Sequence, residues 1–371
     1  MRRPQVLLIG IGGVGGFVLE FLARTDGLSY IVGADYNADW GQRKVDTIRS
    51  GAILQGHYPR LEFQRIDLHD VDATAEVIDG LQPDLILNCA TAQTWWVRHQ
   101  YLSPEQAEHL AQAGSGPWLP THMALARKLM LAIRRSGWQG HVINSGFADA
   151  SNMVLAKRGM APTMGLGNID LVIPGIQVAV ARELDVPARN VQVFAVLHHY
   201  HQRCFRKGPT GAPPYFLRLM LGDRDVTKAF DTNQLLYEVR QTGLSGQHVD
   251  PVVAASGVKN ALALLWDTGL LTHTNGPQGL PGAYPVRASA AGAQVFLPEG
   301  ISLEQAIGIN EVAQRGDGIE RIEDDGTVVY TEEAVQIMRE VLNYDLQPLR
   351  FDELDQRSEE LVAHFRALAH R

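Results

Sequence analysis

Two groups of residues in this 371-residue chain have types and spacing that chemistry can use. The first is Gly10-Ile11-Gly12-Gly13-Val14-Gly15, a G-x-G-x-x-G pattern. In such a loop the first glycine makes a tight turn and the second lets backbone approach a pyrophosphate. The third lets the following helix pack close to the preceding strand. The helix that opens there offers unpaired N–H groups and a partial positive charge to phosphates. Gly10, Gly12, Gly13, Val14 and Gly15 are therefore expected to cradle a dinucleotide. Asp35 follows about 20 residues later, where a carboxylate accepts hydrogen bonds from ribose hydroxyls. A carboxylate there repels a 2′-phosphate, so NAD is expected ahead of NADP, although Arg43 and Lys44 downstream keep NADP open. The small residues of Asn88-Cys89-Ala90-Thr91-Ala92 would let a nicotinamide-side ribose lie against strand ends. Asn88 and Ala90 are further candidates on that basis, with Asn144 on the next strand, and plain strand-end packing explains them equally well.

The second group is His198, His199 and His201, followed by Arg203, Arg206 and Lys207. On a strand, His199 and His201 would share a face and could take a metal with a third ligand. Two such histidines are more often ordinary polar residues, and no metal is expected. The basic residues could bind a carboxylate or phosphate of a larger substrate, or form a solvated loop.

The elements that must position these groups follow from periodicity. Residues 6–9, 30–34, 62–66, 85–88 and 141–144 read as strands, with helical spacing over 17–24 and 122–135. Strands alternating with helices predict a doubly wound parallel sheet with helices on both faces. Residues 95–120 hold three tryptophans and a Gly-Ser-Gly-Pro run, which reads as a functional loop or lid with a short helix over 104–113. The tryptophans could stack on a substrate or simply pack on their own domain. Beyond residue 160 come helix patterns over 171–184 and 251–265 and strands over 191–197, 270–275, 283–288 and 294–297. Asp324-Asp325-Gly326 reads as a hairpin turn, and a pair of amphipathic helices follows from Glu332. The fold class expected is α/β, a Rossmann domain over 1–160 followed by an α+β catalytic domain over 161–371.

Several segments resemble the lactate/malate dehydrogenase superfamily, which includes NAD-dependent family 4 glycosidases. The run from Val142 to Asp149, with Lys157 beyond it, resembles the "TNPVD…K" stretch of those dehydrogenases. Gly165-Leu166-Gly167-Asn168-Ile169-Asp170 is similar to "GxGTxLD" and to the glycosidases' "GLCN". Glu183-Leu184-Asp185-Val186 and the run from Val191 to His199 resemble "LGV…V…GEHG". Tyr284-Pro285-Val286 through Leu297-Pro298 resembles the late strand pair. The resemblance implies that His199 is the acid/base histidine and Asp170 the aspartate that orients it. Histidine titrates near neutrality, and a carboxylate on its other nitrogen fixes the tautomer and stabilises the imidazolium. Asp170 would equally serve as a helix N-cap, and His199 as a satisfied strand-end histidine. Asn168, His201 and Arg203 are the neighbouring candidates for substrate contact, and Arg98 stands where the family carries a mobile arginine.

The departures matter as much. Ile173 stands where the family has its substrate-carboxylate arginine, Gly146 or Ser145 where it has an asparagine, and Gly167 where the glycosidases have a metal-binding cysteine. A bidentate arginine is what recognises a small carboxylate well. The substrate is therefore expected to be bulkier than lactate or malate. Saccharopine- and opine-type enzymes share the chemistry and a similar first half, with Asp35 followed by a loop and Lys44, so C–N substrates stay open.

Composition bounds the rest. Hydrophobic residues at 45% and charged residues at 20% indicate a globular chain, and a net charge of -8 gives no reason to expect nucleic acid or an anionic membrane as partner. Two separated cysteines, Cys89 and Cys204, fit a reducing compartment. The apolar start is broken by glycines and is not expected to be a signal peptide. The expected protein is a cytoplasmic homodimer or homotetramer acting on a small molecule. Its expected reaction moves a hydride between nicotinamide and a hydroxyl- or amine-bearing carbon, with Asp170 and His199 as acid/base dyad. An enzyme that recycles bound NAD, in the manner of a glycosidase, lyase or epimerase, and a non-catalytic NAD-binding protein are the alternatives.

Overall fold

A computed structural model describes residues 4–94, 98–243 and 246–368. The first half alternates strand and helix: β1 (Gln5–Ile9), α1 (Gly13–Ala23), β2 (Tyr30–Asp35), α2 (Ala38–Leu54), β3 (Leu61–Arg65), α3 (Val71–Leu81) and β4 (Leu85–Asn88). Then come α4 (Arg98–Tyr101), α5 (Pro104–Ala111), α6 (Leu119–Ser136), β5 (His141–Asn144), α7 (Ala148–Lys157) and β6 (Met164–Gly165). Residues 6–9 and all of β4 are buried, as continuous apolar strands covered on both faces must be. Three of these helices, α2, α3 and α5, start where side chains satisfy their free N–H groups. Asn37 accepts from the Trp40 N–H and Asp70 from the Ala73 N–H, while Ser103 and Gln106 cap α5 reciprocally.

These strands form one parallel sheet in the order β3-β2-β1-β4-β5-β6. The order reverses between β1 and β4, where Ile9 pairs with Asn88. A switch point of this kind leaves a crevice outside the carboxyl ends of the strands, and ligands bind there in open α/β sheets. The expected boundary at residue 160 falls short of the sheet's last strand, β6.

The second half contains α8 (Ile173–Glu183), β7 (Val191–Val196), α9 (His199–Lys207), β8 (Phe216–Leu221), β9 (Arg224–Asp225), α10 (Thr232–Thr242) and α11 (Asp250–Leu265). It continues with β10 (Leu270–Asn275), β11 (Ala283–Ser289), β12 (Gly292–Val295) and α12 (Leu303–Gly316). It ends with β13 (Ile319–Ile322), β14 (Val328–Tyr330), α13 (Glu332–Leu342) and α14 (Leu354–Leu368). Its three small sheets, β7-β8-β9, β10-β11-β12 and β13-β14, are antiparallel.

Two apolar clusters cover the faces of the parallel sheet. One joins Leu7 and Ile9 of β1 to α6 and, from the far end of the chain, to Tyr330, Met338 and Phe365. The other joins Val6 and Leu8 to α1, α11 and β11. The second half is thus not a separate lobe, because its last elements return to pack over α5 and α6.

One local expectation is corrected. Residues 199–207 form a helix, not a strand continuation. The reason lies in the caps: His198 Nδ1 accepts from the Tyr200 N–H, and the His201 ring accepts from the His198 N–H. The buried Phe205 anchors the helix to the core. On a helix, positions two apart face different directions, so His199 and His201 diverge.

The seam between β1 and α1 is tight enough to test. A Cβ on Gly15 would overlap the carbonyl oxygen of Gly10, which is backbone and cannot move aside. Gly15→Ala is expected to cost about 1–3 kcal/mol in urea unfolding, the range for overpacking a closed contact. An unchanged urea midpoint would mean that this contact is looser than described.

Candidate active site

The carboxyl ends of the central strands open on one cavity of about 1580 Å³, closed on its other sides by residues of α9, α10, α11 and α14. Gly10, Gly12, Gly13, Val14 and Asp35 line it. Gly10 turns the chain at φ +84°, and a Cβ there would come within 2.6 Å of the Ala90 backbone nitrogen. A Cβ on Gly12 would meet no atom within 4 Å and would project into open space. Bare backbone facing a cavity at a helix N-terminus is what a pyrophosphate needs, so these residues fit a dinucleotide. Asp35 is oriented by two backbone donors, with Oδ2 accepting from the Ile11 N–H at 3.2 Å and Oδ1 from the Asn37 N–H at 3.1 Å. The Asp250 carboxylate lies 2.6 Å from where a Gly13 Cβ would be. Burial pushes its pKa up, so it sheds its charge more readily than an exposed aspartate beside a phosphate cradle.

His199 lines the same cavity. Its Nδ1 is 2.9 Å from Asp317 Oδ2. Asp317 is 1% exposed and sits in the turn between α12 and β13. Its other oxygen accepts from the Ser115 N–H at 3.3 Å, and its backbone carbonyl accepts from the Gly116 N–H at 2.7 Å. Burial works to raise the Asp317 carboxyl. The charge and hydrogen bond of His199, with His198 and Arg203, outweigh burial and hold it at about 2. Asp317 is therefore an anion at neutral pH. The Ser115 hydroxyl is 3.4 Å from the same His199 nitrogen. Phe147, itself at φ +46°, meets the imidazole edge-on with ring centroids 5.7 Å apart. A left-handed non-glycine residue costs conformational energy, and such residues concentrate at functional sites.

A second buried carboxylate, Asp149 at the start of α7, also lines the cavity. Its Oδ1 accepts from the His199 backbone N–H at 3.2 Å. Its Oδ2 accepts from Asn275 Nδ2 at 3.0 Å and from Asn168 Nδ2. Asn168 in turn accepts from Gln202 Nε2 at 2.5 Å. Buried His198 lies 3.5 Å from Asp317 at its Nδ1, and burial lowers its pKa, which keeps this ring neutral.

The structure pairs the expected dyad differently. Asp170 does not reach His199. Its carboxylate is held by Lys259 Nζ at 2.6–2.7 Å and Ser256 Oγ at 2.6 Å, both on α11. The physical reason is the α9 cap, which places the imidazole at a helix start facing the turn after α12. His201 does not face substrate either. It is buried, accepts from the His198 N–H at 2.8 Å and faces the Pro214 carbonyl at 3.1 Å through Nε2. Asn88 and Asn144 are 1% exposed and bond to each other at 3.0 Å, so their side chains brace strand ends below the cavity. Ala90 and Asn168 do line the cavity, as does Arg203, which donates to the Ala111 carbonyl. Gly15 lies beneath the loop against Gly10, and Ile173 is buried in the α8 core. The side chain of Arg98 and the pair Trp95–Trp96 lie outside the described residues. Asp317 carries no sequence signal, being a lone aspartate between two glycines, whereas Asp149 ends the run from Val142 that resembles the dehydrogenases but has no role of its own assigned there. Among the described residues no helix is long and apolar enough to cross a membrane.

Comparison with known proteins gives a consistent frame. Residues 6–94 match the family model described as the saccharopine dehydrogenase NADP binding domain. The glycine loop and Asp35 thus belong to a nicotinamide-dinucleotide-binding domain. No curated protein matches the chain by sequence. Among solved structures, the chain is similar to a lactate dehydrogenase from a Medee basin deep-sea metagenome library, with 12% identity, TM-score 0.59, and coverage of 85% of this chain and 98% of that one. Lactate dehydrogenase of Cryptosporidium parvum, complexed with lactic acid and NAD, has 15% identity and TM-score 0.55, covering 85% and 98%. Malate dehydrogenase of Salinibacter ruber has 18% identity and TM-score 0.52, covering 84% and 95%. The fold is that of the lactate/malate dehydrogenases: a six-stranded parallel sheet with helices and additional antiparallel sheets.

Two outcomes follow from this geometry. Asp170→Asn weakens a structural ion pair, so it is expected to cost about 1–3 kcal/mol in urea unfolding. It should leave the His199 imidazole titration, read by NMR, where it is in the parent protein. A displaced His199 titration would reinstate Asp170 as its partner. Acid sensitivity has a defined window. Burial pushes the His201 and His273 rings down to about 4. An unfolded histidine titrates near 6.5, so between these values the unfolded chain binds more protons than the folded one. Their contribution to stability is full above about pH 6.5 and is lost as pH falls towards 4. The urea midpoint should decline across that window, and a flat profile there would contradict the burial of both neutral rings.

Proposed function

We propose that this protein is a cytoplasmic, NAD-dependent oxidoreductase that acts on a hydroxyl- or amine-bearing carbon of a substrate larger than lactate or malate. The observation that carries this reading is one cavity lined both by the glycine loop and by His199, which is backed by buried Asp317. Gly10, Gly12, Gly13 and Val14 would hold the pyrophosphate, and Asp35 the adenine-side ribose. The bound cofactor would supply or accept the hydride, and the protein must then move a proton at the substrate heteroatom.

His199 suits that task. Asp317, an anion at neutral pH, engages Nδ1, so the proton is exchanged at Nε2. The carboxylate fixes the tautomer and stabilises the imidazolium formed when substrate is oxidised. The chain therefore keeps the histidine–aspartate logic but draws the aspartate from Asp317, not from Asp170. Asp149, through its bond from the His199 N–H, positions the first residue of α9. Its buried charge on the cavity wall favours a substrate that brings a cation, which supports an amine-bearing carbon alongside a hydroxyl-bearing one.

Preference for NAD rests on Asp35 and on what Lys44 does. The carboxylate is anchored toward the cavity, where a 2′-phosphate would meet it. Lys44 packs along α1, with Nζ 3.2 Å from where a Gly16 Cβ would be. It is thus engaged away from the ribose. The reading also carries a homodimer or homotetramer, which light scattering on the eluting protein would test.

His199→Gln and Asp317→Asn are each expected to lower turnover by roughly 10²–10⁴-fold, the size of general acid/base effects. NADH affinity, followed by fluorescence, should stay within about twofold, because neither side chain belongs to the phosphate cradle. Gly12→Val should instead abolish NADH binding. Turnover that survives His199→Gln would overturn the acid/base assignment.

A further inference from the structure

The cavity, at about 1580 Å³, is far larger than a three-carbon hydroxy acid, and the part of its wall formed by α9 and α10 carries positive charge. His199, Gln202, Arg203 and Arg206 all line it. These positions form an i, i+3, i+4, i+7 series, one face of helix α9. Arg240, from α10, lines the same cavity. The two helices are tied together, because Gln241 Nε2 donates to the Phe205 and Arg206 carbonyls at 3.4 and 3.3 Å.

The cations on this face differ in how they are satisfied. Arg203 donates to the Ala111 carbonyl and lies over the Tyr200 ring at 5.6 Å. Lys207 is 3.9 Å from Glu108. Arg206 and Arg240 have no carboxylate partner among the described residues. The half-buried Arg240 keeps its Nε buried without a hydrogen-bond partner. Burial lowers the Arg240 guanidinium to about 10, and the neighbouring charge of Arg206 lowers it further. An anion placed between these two guanidinium groups would offset their repulsion and pair the partly desolvated one. Two carboxylates that line the cavity are committed to other cations: Glu108 to Lys207 at 3.9 Å, and Asp355 to Lys128 at 2.8 Å.

We propose that Arg206 and Arg240 form an anion subsite that holds a carboxylate or phosphate at the far end of the substrate. Arg206 lies about 10 Å along the helix axis from His199, the rise of seven residues. This rests on the proposed function, since His199 defines the reacting end. It also accounts for Ile173, which is buried in the α8 core and cannot contact substrate. The anionic anchor has moved from beside the reacting carbon to a point two helical turns away. The substrate class is accordingly a long molecule, with an alcohol or amine carbon at one end and a carboxylate or phosphate at the other.

The test uses the full chain saturated with NADH, so that the pyrophosphate cradle is occupied. Inorganic phosphate and adipate serve as separate probes, followed by thermal shift and calorimetry. The parent protein should be stabilised by at least one of them, and the stronger probe identifies the anion as phosphate or carboxylate. Arg240→Met and Arg206→Met should each weaken half-saturation by tenfold or more, the loss expected for one charge-assisted contact. Arg240→Lys should restore part of it. Arg240→Met should unfold no earlier than the parent without anion, because it removes an unpaired charge, which separates lost binding from lost folding. Equal affinity in parent and Arg240→Met, or no response of the parent to either probe, would overturn the subsite. Failure of the parent to bind NADH would instead overturn the proposed function.

Discussion

The contact between His199 and Asp317 holds together the part of the molecule where chemistry is proposed. Its two residues are 118 positions apart. To meet, helix α9 must begin at His199, α12 must end at Gly316, and the segment 114–116 must wrap around the turn that follows. Glycines make that wrap possible. Gly114, at φ +79°, lies directly on the Asp317 backbone, and a Cβ on Gly316 would run into the Tyr200 ring. A buried carboxylate is costly unless it is paired and hydrogen-bonded. Asp317 meets that condition through one imidazole and one backbone N–H, so the geometry around it is specified by its own desolvation.

That dependence explains which parts of the protein the sequence discloses. The glycine loop combines a local pattern with a flanking strand and helix, and each piece lies within a few residues of the next. The same holds for the parallel strands, whose apolar runs are long enough to read, and for the turn at Gly326. The identity of the imidazole's partner is a different kind of information. Asp170 occupies the position that family resemblance assigns to the partner, but Lys259 and Ser256 already satisfy it. What decides between the two aspartates is the direction in which residue 199 points, and that depends on a helix cap formed by His198 and His201. Histidine is an uncommon cap, so His199 and His201 read as the continuation of β7 and the basic residues after them as a loop. The small α12–β13 turn likewise carries no periodicity, and nothing nearby in sequence marks Asp317 as different from any polar turn residue.

The two buried carboxylates divide their labour. Asp317 acts on the ring of His199 and Asp149 on its backbone N–H, so one residue is fixed at both ends by opposite charge or dipole. Asp149 is itself held by Asn275 from β10 and Asn168 from the turn after β6. Four segments distant in sequence thus converge on a single residue. Asn88 and Asn144 perform the equivalent service below the nucleotide side, bracing β4 to β5 through their amides. Polar groups placed this way act on chemistry through position, and they are buried because their partners are.

The return of the last helices to the first sheet has a consequence for how the chain matures. Leu7, Ile9, Leu119 and Met123 belong to one apolar cluster with Leu354, Leu361 and Phe365. During synthesis the six-stranded sheet has all its strands long before α14 emerges, so the side of α6 that α14 later covers stays wet for that interval. His199 follows the last strand of that sheet in the chain, Asp317 follows His199, and the cover of α6 comes last. The apolar flank of α6 is thus the last part of the first sheet's covering layer to be closed, by a helix more than two hundred residues further along the chain.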